Sequence, residues 1–500
     1  MKTIIKSGYL SMLIAASFPA SAANIVDEIM NNHYWQTAEP AAKNAPATAA
    51  APVAQPERLS PQVTCPTGAP GLTHLTLGGA INIALCNSPR LRAAWLQTKF
   101  SETEELRRIG AWLPEINATA TQRRGDQKSV YGYESYELRQ RYKPKVTDLA
   151  VNVDWLLFDF GKRENEYFRA EESLAAARAL NSVEFQQVTL DVAQKYYALV
   201  YLQTLVEMAY EQERIASEVM QDATARHRAG IVPLTDKIQA ENSLGQATMS
   251  RIQYESDIAR AKGDLLTVMG VAANLTMSLA DKRLSMPDGA LAASVTDYIH
   301  QALLNNPAVK AAEHQKNADE YGKNAAGLSM LPSLSFVGSY GRTDSRDAIV
   351  TAPTRNDELW MGLQVKIPLF NRLQQYSQQI DAQNNIQLRE NALRDKQLEV
   401  TSAIWSNFHS MSASTENALK SEQVLKNTQL AHKLARGRYR SGMGSMLEVL
   451  STQQSWMNAV SQNVNTLTQW HQSRLTLLIL TGGFNRLQDI NDKTSTAAYK

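Results

Sequence analysis

No stretch of this chain beyond its first two dozen residues approaches the ~20 consecutive apolar positions that a membrane-spanning helix requires. The most strongly apolar run there is Leu477-Leu478-Ile479-Leu480, far too short. Glycine and proline are also sparse, 24 and 17 in 500 residues, so few points can break an element and the elements should be long. Charge of one sign is missing too. A net charge of +2 with 20% charged residues leaves no electrostatic footprint for nucleic acid. Only two cysteines occur, Cys65 and Cys86, without the spacing of a zinc site. The eight histidines form no H-E-x-x-H or ligand cluster, and no catalytic constellation is visible, so no enzyme, metal or cofactor is expected.

At the N-terminus, residues 1–22 have the layout of a secretory signal. Lys2 and Lys6 precede the apolar stretch Tyr9 to Phe18, and Ala20-Ser21-Ala22 supplies the cleavage pattern. No cysteine follows directly, which argues against a lipid anchor there. Residues 23–71 form an Ala- and Pro-rich extension whose composition favours extended chain. In an oxidising periplasm Cys65 and Cys86 could pair and pin this extension to the first helix; two thiols can equally stay reduced and buried.

The chain turns on the segment from Asp148 to Lys162. Leu149, Val151, Val153, Trp155 and Leu157 alternate with Asp148, Asn152 and Asp154, the period of two of a strand with unlike faces. Phe158 to Lys162 punctuates it, and a long charged, Ala-rich helical pattern follows. The same event recurs where Leu359, Met361, Leu363, Val365, Ile367 and Leu369 alternate with Trp360, Gly362, Gln364 and Lys366 ahead of Phe370-Asn371. Phe158 and Phe370 are 370 − 158 = 212 positions apart, and that offset also relates Arg228-Ala229-Gly230 to Arg440-Ser441-Gly442, Asp236 to Glu448, and Gly270 to Gly482. Residues 72–283 and 284–483 therefore read as two repeats, followed by a tail at 484–500. Each repeat reads helix, strand, loop, strand, long helix, tight turn, helix.

Strands are expected at 116–123 and 146–158, then at 333–342 and 359–369. The long helix from about Phe160 to Arg228 would reach roughly 100 Å, and its spacing of Val188, Val192, Lys195, Leu199, Leu202 and Val206 suits packing along its whole length. A returning helix should cover about Asp236 to Gly270, and one further helix about Val295 to Leu331. Four strands fall short of the about eight that close a barrel, so other chains must pair their edges; three copies would supply twelve. Val151, Val153, Trp155, Met361, Leu363 and Val365 are the expected lipid-facing positions. The segment Arg123 to Lys143, with Tyr131, Tyr133, Tyr136 and Tyr142, is expected as an outward-facing loop. Its tyrosines, with Trp155 and Trp360, suit a membrane boundary, and a plain variable loop is the alternative.

From roughly Leu75 to Gly483 the sequence resembles the TolC family of outer-membrane channel proteins. The residues that carry the resemblance are Leu157-Phe158-Asp159-Phe160-Gly161, Arg228-Ala229-Gly230 with Asp236, Ile367-Pro368-Leu369-Phe370, and Tyr439-Arg440-Ser441-Gly442 with Glu448-Val449-Leu450. The resemblance implies a fold of α plus membrane β: a homotrimer with a 12-stranded barrel in the lipid of a Gram-negative outer membrane, continued by a helical tunnel in the periplasm. It implies partnership with a periplasmic adaptor and an inner-membrane ABC transporter or other pump, and no nucleic acid. The cysteines and the unlipidated start look closer to members serving type I secretion than to lipoproteins serving drug efflux. A multidrug efflux channel is the alternative; a periplasmic coiled-coil adaptor or a secreted adhesin or enzyme fits the duplication less well.

The resemblance also places a pore entrance at the two helix turns, tipped by Gly230 and Gly442. Family members hold it closed with Tyr, Arg and Asp side chains, and acidic residues beyond ring the pore. Asp236, Tyr439 and Glu448 match such positions. Gly444 stands where well-studied members carry Arg, and Ser451 where they carry an acid, so Arg226, Arg228, Arg438 or Arg440 become the candidate substitutes. Ordinary caps and solvated turn charges are the plainer reading of these residues.

Overall fold

A computed structural model describes residues 72–133, 136–280, 284–287, 294–346, 354–369 and 372–482. The signal, the extension with Cys65, Phe370-Asn371 and the C-terminal tail lie outside the described residues. Cys86 is disulfide-bonded. Among the described residues no helix is long and apolar enough to cross a membrane.

The chain separates into a strand unit, containing Gly110–Gly161 and Leu328–Asn371, and a helix unit, containing Lys162–Gly327 and the residues from Arg372 onward. In order, the elements are α1 (Leu77–Asn87), α2 (Pro89–Gly110), β1 (Glu115–Arg124), β2 (Gln127–Tyr133), β3 (Tyr136–Tyr142), β4 (Lys145–Phe158), α3 (Lys162–Arg228) and α4 (Leu234–Val268). There follow α5 (Val295–Asn305), α6 (Pro307–Leu328), β5 (Ser333–Arg346), β6 (Thr354–Lys366), α7 (Arg372–Arg440) and α8 (Met446–Leu480). Lengths match between the halves: 11 and 22 residues for α1 and α2 as for α5 and α6, 67 and 69 for α3 and α7, and 35 for α4 and α8.

Within the helix unit, one core gathers Val188, Val192 and Leu199 of α3 with Leu265 of α4 and Ala84 of α1. A second gathers Val400, Ile404 and Met411 of α7 with Leu477 of α8 and Ala302 of α5. Val188 and Val400 are 400 − 188 = 212 positions apart, as are Val192 and Ile404, Leu199 and Met411, and Leu265 and Leu477. Of the stripe expected on α3, Val188, Val192 and Leu199 are buried, whereas Lys195 leaves it to pair with Asp264 at 2.8 Å. The single helix expected from Val295 to Leu331 is broken in two. Pro307 forces the preceding residue out of the helical region, and Asn306 adopts ψ 123°, its Oδ1 accepting from Ala308 N at 2.8 Å to open α6.

Both returning helices end on a left-handed glycine, Gly270 at φ 73° and Gly482 at φ 75°. At Gly270 a Cβ would lie 2.5 Å from the carbonyl oxygen of Asn87. Gly270→Ala should destabilise by more than about 1 kcal/mol, because strain and collision add. Gly245 lies inside α4 with open space around it, so Gly245→Ala should instead gain up to about 1 kcal/mol of helix propensity. Urea midpoints of the two purified variants, moving in opposite directions, would check this.

The strand unit is a four-stranded antiparallel sheet of order β1-β4-β5-β6 and a separate two-stranded sheet β2-β3. The first corrects the strand limits: β5 runs on to Arg346 and β6 starts at Thr354 but ends at Lys366, leaving Ile367 to Leu369 outside it. Pro368 cannot donate to a ladder, which accounts for the early end. The second corrects the loop expected at Arg123 to Lys143, most of which is a hairpin. Its alternation was masked by tyrosines and charges in place of aliphatic residues.

Register decides which residues share a face. Ala118 faces Val151, which faces Tyr340, which faces Leu359; Ile116 faces Val153, then Gly338 and Met361; Trp155 faces Phe336 and Leu363, and Leu334 faces Val365. Every position expected to meet lipid therefore falls on one side of one sheet. The other side carries Asn117, Asn152 and Ser339, with the Ser339 hydroxyl donating to Asn152 Oδ1 at 2.8 Å, and Thr343 donating to Asp148 at 2.9 Å. Trp155 and Trp360 lie on opposite sides, since Trp360 faces Ser339. Trp155 Nε1 donates to the carbonyl of Trp112 at 2.9 Å. The described residues leave the apolar side uncovered: Leu359, Met361, Leu363 and Val365 are all more than 60% exposed.

Candidate functional site

Both tips are built the same way. At the end of α3, Ile231 N donates to Arg226 O at 2.9 Å and Gly230 N to His227 O at 3.0 Å; at the end of α7, Met443 N donates to Arg438 O at 2.9 Å and Gly442 N to Tyr439 O at 3.0 Å. These paired bonds need a left-handed residue, and Gly230 (φ 74°) and Gly442 (φ 77°) supply it. The chain then re-enters a helix, with Asp236 in the first turn of α4 and Glu448 in that of α8, where carboxylates suit the positive helix end.

Arg226 ties the two turns together. Its Nη2 donates to the carbonyl of Arg440 at 3.0 Å, its Nη1 to that of Tyr439 at 3.3 Å, and its Nε pairs with Asp222 at 3.2 Å. The guanidinium also lies 5.1 Å from the centre of the Tyr439 ring. Both carbonyls belong to the last turn of α7; that of Tyr439 already accepts from Gly442 N, so the one cation adds a second donor there and supplies a donor to Arg440.

Tyr439 is 5% exposed and packs with Ile215, Val219, Ala223, Met446 and Val449. Its hydroxyl is buried with no hydrogen-bond partner among the described residues. Burial raises the phenol's pKa, opposed by Arg226 and assisted by Asp222 and Asp236. Asp236 thus lies in its electrostatic surroundings without bonding it. Glu448 pairs with Arg438 at 2.9 Å, while its backbone N–H is capped by Ser445 Oγ at 3.2 Å. Arg228 is exposed at the end of α3, and Arg440 approaches Glu218 at 3.8 Å.

Glu218 was not singled out from sequence. It receives Arg214 of its own helix and Arg436 of α7, in addition to Arg440. The signal was present as the four-residue spacing of Arg214, Glu218, Asp222 and Arg226, which puts all four on one face of α3. Gly444, where an Arg was the family expectation, has space for little: a Cβ there would lie 3.1 Å from Tyr439 N and 3.2 Å from Arg438 Cβ.

Apolar side chains are also displayed here: Ile231, Leu234, Met443 and Leu447 are each more than half exposed. His432 is 5% exposed and stacked on Trp456 at 5.6 Å, with its pKa lowered chiefly by burial. Among the described residues no group of His, Cys, Asp and Glu could hold a metal ion. This is a site of links between helices, with neutral packing beneath and charge at its surface. Pairing with Arg438 withdraws part of the Glu448 charge, so Arg438→Gln should raise cation preference in a conducting assembly and Glu448→Gln should lower it, both read as reversal potentials in a salt gradient.

Comparison with known proteins gives concordant results. A family model described as "Outer membrane efflux protein" matches residues 80–271 and 298–483. Protein CyaE of Bordetella pertussis is 26% identical over 439 residues, 87% of this chain and 90% of that protein. The alkaline protease secretion protein AprF of Pseudomonas aeruginosa is 21% identical, over 79% and 82% of the respective chains. Among solved structures, the outer membrane protein VceC of Vibrio cholerae superposes with a TM-score of 0.67 at 19% identity, covering 81% of this chain and 96% of that one.

Proposed function

Because the chain belongs to the outer membrane efflux protein family, we propose that three copies form a duct through the outer membrane of a Gram-negative cell. In this reading four strands from each copy make a 12-stranded barrel, and α1 to α8 make a tunnel reaching into the periplasm. The observation that carries it is the sheet register. A sheet whose one face carries an apolar band left uncovered by the described residues, and whose edge strands β1 and β6 are unpaired among them, is stable only if lipid covers the band and other chains pair the edges. Exposed apolar side chains along α7, among them Leu388, Leu398, Trp405, Leu419 and Leu430, supply a further seam for neighbouring copies. The duct needs no catalytic group.

The exposed Ile231, Leu234, Met443 and Leu447 at the tips are where a periplasmic adaptor would dock, bringing an inner-membrane transporter with it. The substrate class we favour is protein, by type I secretion, supported by the resemblance to a protein named for protease secretion. The family description itself names efflux, so small-molecule export is the second reading.

Deleting the gene and comparing culture supernatants with drug susceptibilities tests the assignment. Loss of specific proteins from the medium, with susceptibility little changed, is expected. An unchanged supernatant with strong sensitisation to dyes and antibiotics would favour efflux, and no change in either would refute the duct.

A further inference from the structure

The β2–β3 hairpin takes no part in this reading of the duct, yet its register is tied to the barrel strands. Glu115 faces Asp154 and Arg124 faces Lys145 in one ladder; Gln127 faces Tyr142 and Tyr133 faces Tyr136 in the other. Each of these pairs has the same sum of residue numbers, and Gly125 N donates to Pro144 O at 3.0 Å across the gap. The hairpin therefore prolongs the β1–β4 ladder without a slip, and one face can be followed along both.

That face begins apolar, with Ile116 opposite Val153, Ala118 opposite Val151, and Ala120 opposite Leu149. It becomes neutral and polar at Gln122 opposite Thr147. Then it turns basic: Arg124 opposite Lys145, Lys128 opposite Arg141, and Val130 opposite Arg139, with Asp126 and Lys143 between. Tyr131, Tyr133, Tyr136 and Tyr142 hold register positions of the other face.

Two of the basic pairs set cations directly opposite each other, an arrangement that costs stability unless an anion relieves it. Asp126 accepts from Arg141 Nε at 2.7 Å and also feels the charge of Lys143, so it offsets part of the group's charge. The β5–β6 ladder of the four-stranded sheet behaves differently. Between β5 and β6, Arg342 faces Asp357 and Asp344 faces Arg355, with ion pairs at 3.1 and 2.9 Å. On this face the chain neutralises its own charge between β5 and β6 and concentrates cations along the β1–β4 ladder and its hairpin; the Arg123–Asp148 pair at 3.2 Å lies on the other face.

Position fits a headgroup layer. Arg124 and Lys145 lie four residues beyond Ala120 and Leu149, about 13 Å along the strands and less along the membrane normal once strands tilt by about 40°. We propose that this basic face binds the phosphate groups of the phosphorylated glycolipid forming the outer leaflet around the barrel. The inference rests on the outer-membrane reading above.

Purified full-length protein would be titrated with fluorescent lipopolysaccharide, using wild type, Arg124→Gln/Lys128→Gln and, as a balanced control, Asp344→Asn/Arg355→Gln. The basic double variant should bind about tenfold more weakly or worse, for two charges removed at a membrane surface. It should be no less stable to heat, since it relieves both like-charge pairs. The control and the charge-keeping Arg124→Lys variant should bind as wild type does. Dephosphorylated lipopolysaccharide should bind poorly, and inorganic phosphate should fail to compete. Equal affinity of wild type and the basic variant, equal affinity for the dephosphorylated lipid, or displacement by inorganic phosphate would each overturn the proposal. Bilayer conductance recorded in parallel separates the two readings. A conducting wild type whose lipid affinity ignores these charges refutes the glycolipid site alone, whereas a wild type that never conducts refutes the duct and this site with it.

Discussion

Val151→Arg is expected to remove most of the assembled protein from the outer membrane, whereas Asn152→Arg leaves its yield nearly unchanged. The two residues are neighbours in β4, yet Val151 faces Ala118 and Tyr340 on the apolar side while Asn152 faces Asn117 and Ser339 on the polar side. An arginine on a barrel's lipid face costs about 2–4 kcal/mol at the bilayer midplane, and a trimer incurs it three times. At position 152 the substitution loses one hydroxyl-to-amide bond from Ser339, about 1 kcal/mol, and points its charge toward water. Yield of SDS-resistant oligomer in outer-membrane fractions is the measurement. Equal yields from the two variants would mean that the apolar side does not meet lipid.

The second large effect is expected at the tip, from Arg226→Ala rather than from Tyr439→Phe. Arg226 donates to two carbonyls at the end of α7 and pairs with Asp222, whereas the Tyr439 hydroxyl is buried within its own chain and bonds nothing among the described residues. Hydrogen bonds to a charged group contribute about 1.5–3 kcal/mol each, less where solvent reaches them. Losing one such bond shifts a closed-to-open balance by about tenfold, and three-fold repetition multiplies the shift. Cells carrying Arg226→Ala should therefore admit vancomycin, while Tyr439→Phe, which removes only an unpaired buried polar atom, should leave the barrier intact. Sensitivity from Tyr439→Phe alone would show that its hydroxyl is freed and bonded in the assembled tip.

Much of the fold was legible because two periodicities are clean. The alternation in β4 and β6 gave the face of each strand, and register then added what no single strand reveals, that Val151 and Met361 share a side. The recurring glycines at Gly230, Gly442, Gly270 and Gly482 marked the helix ends, each requiring positive φ. The hairpin was less legible because a strand made of Tyr, Arg and Lys has the composition of a loop. The break before Pro307 was readable in principle, since proline excludes the helical conformation from the residue before it. At the tip, the glycine spacing located the two turns, while the link from Arg226 to the end of α7 was legible only as one of four candidate arginines. Whether a tyrosine presents its ring or its hydroxyl depends on packing against α3 and α8, which sequence spacing alone does not contain.

Planar-bilayer recording of the purified, detergent-extracted wild-type protein tests the duct itself most directly. Discrete conductance steps that appear only with protein present, and that favour cations once the tip is freed by Arg226→Ala, are the expected result. An absence of steps at any protein concentration, from material shown to be folded and membrane-extracted, would contradict it.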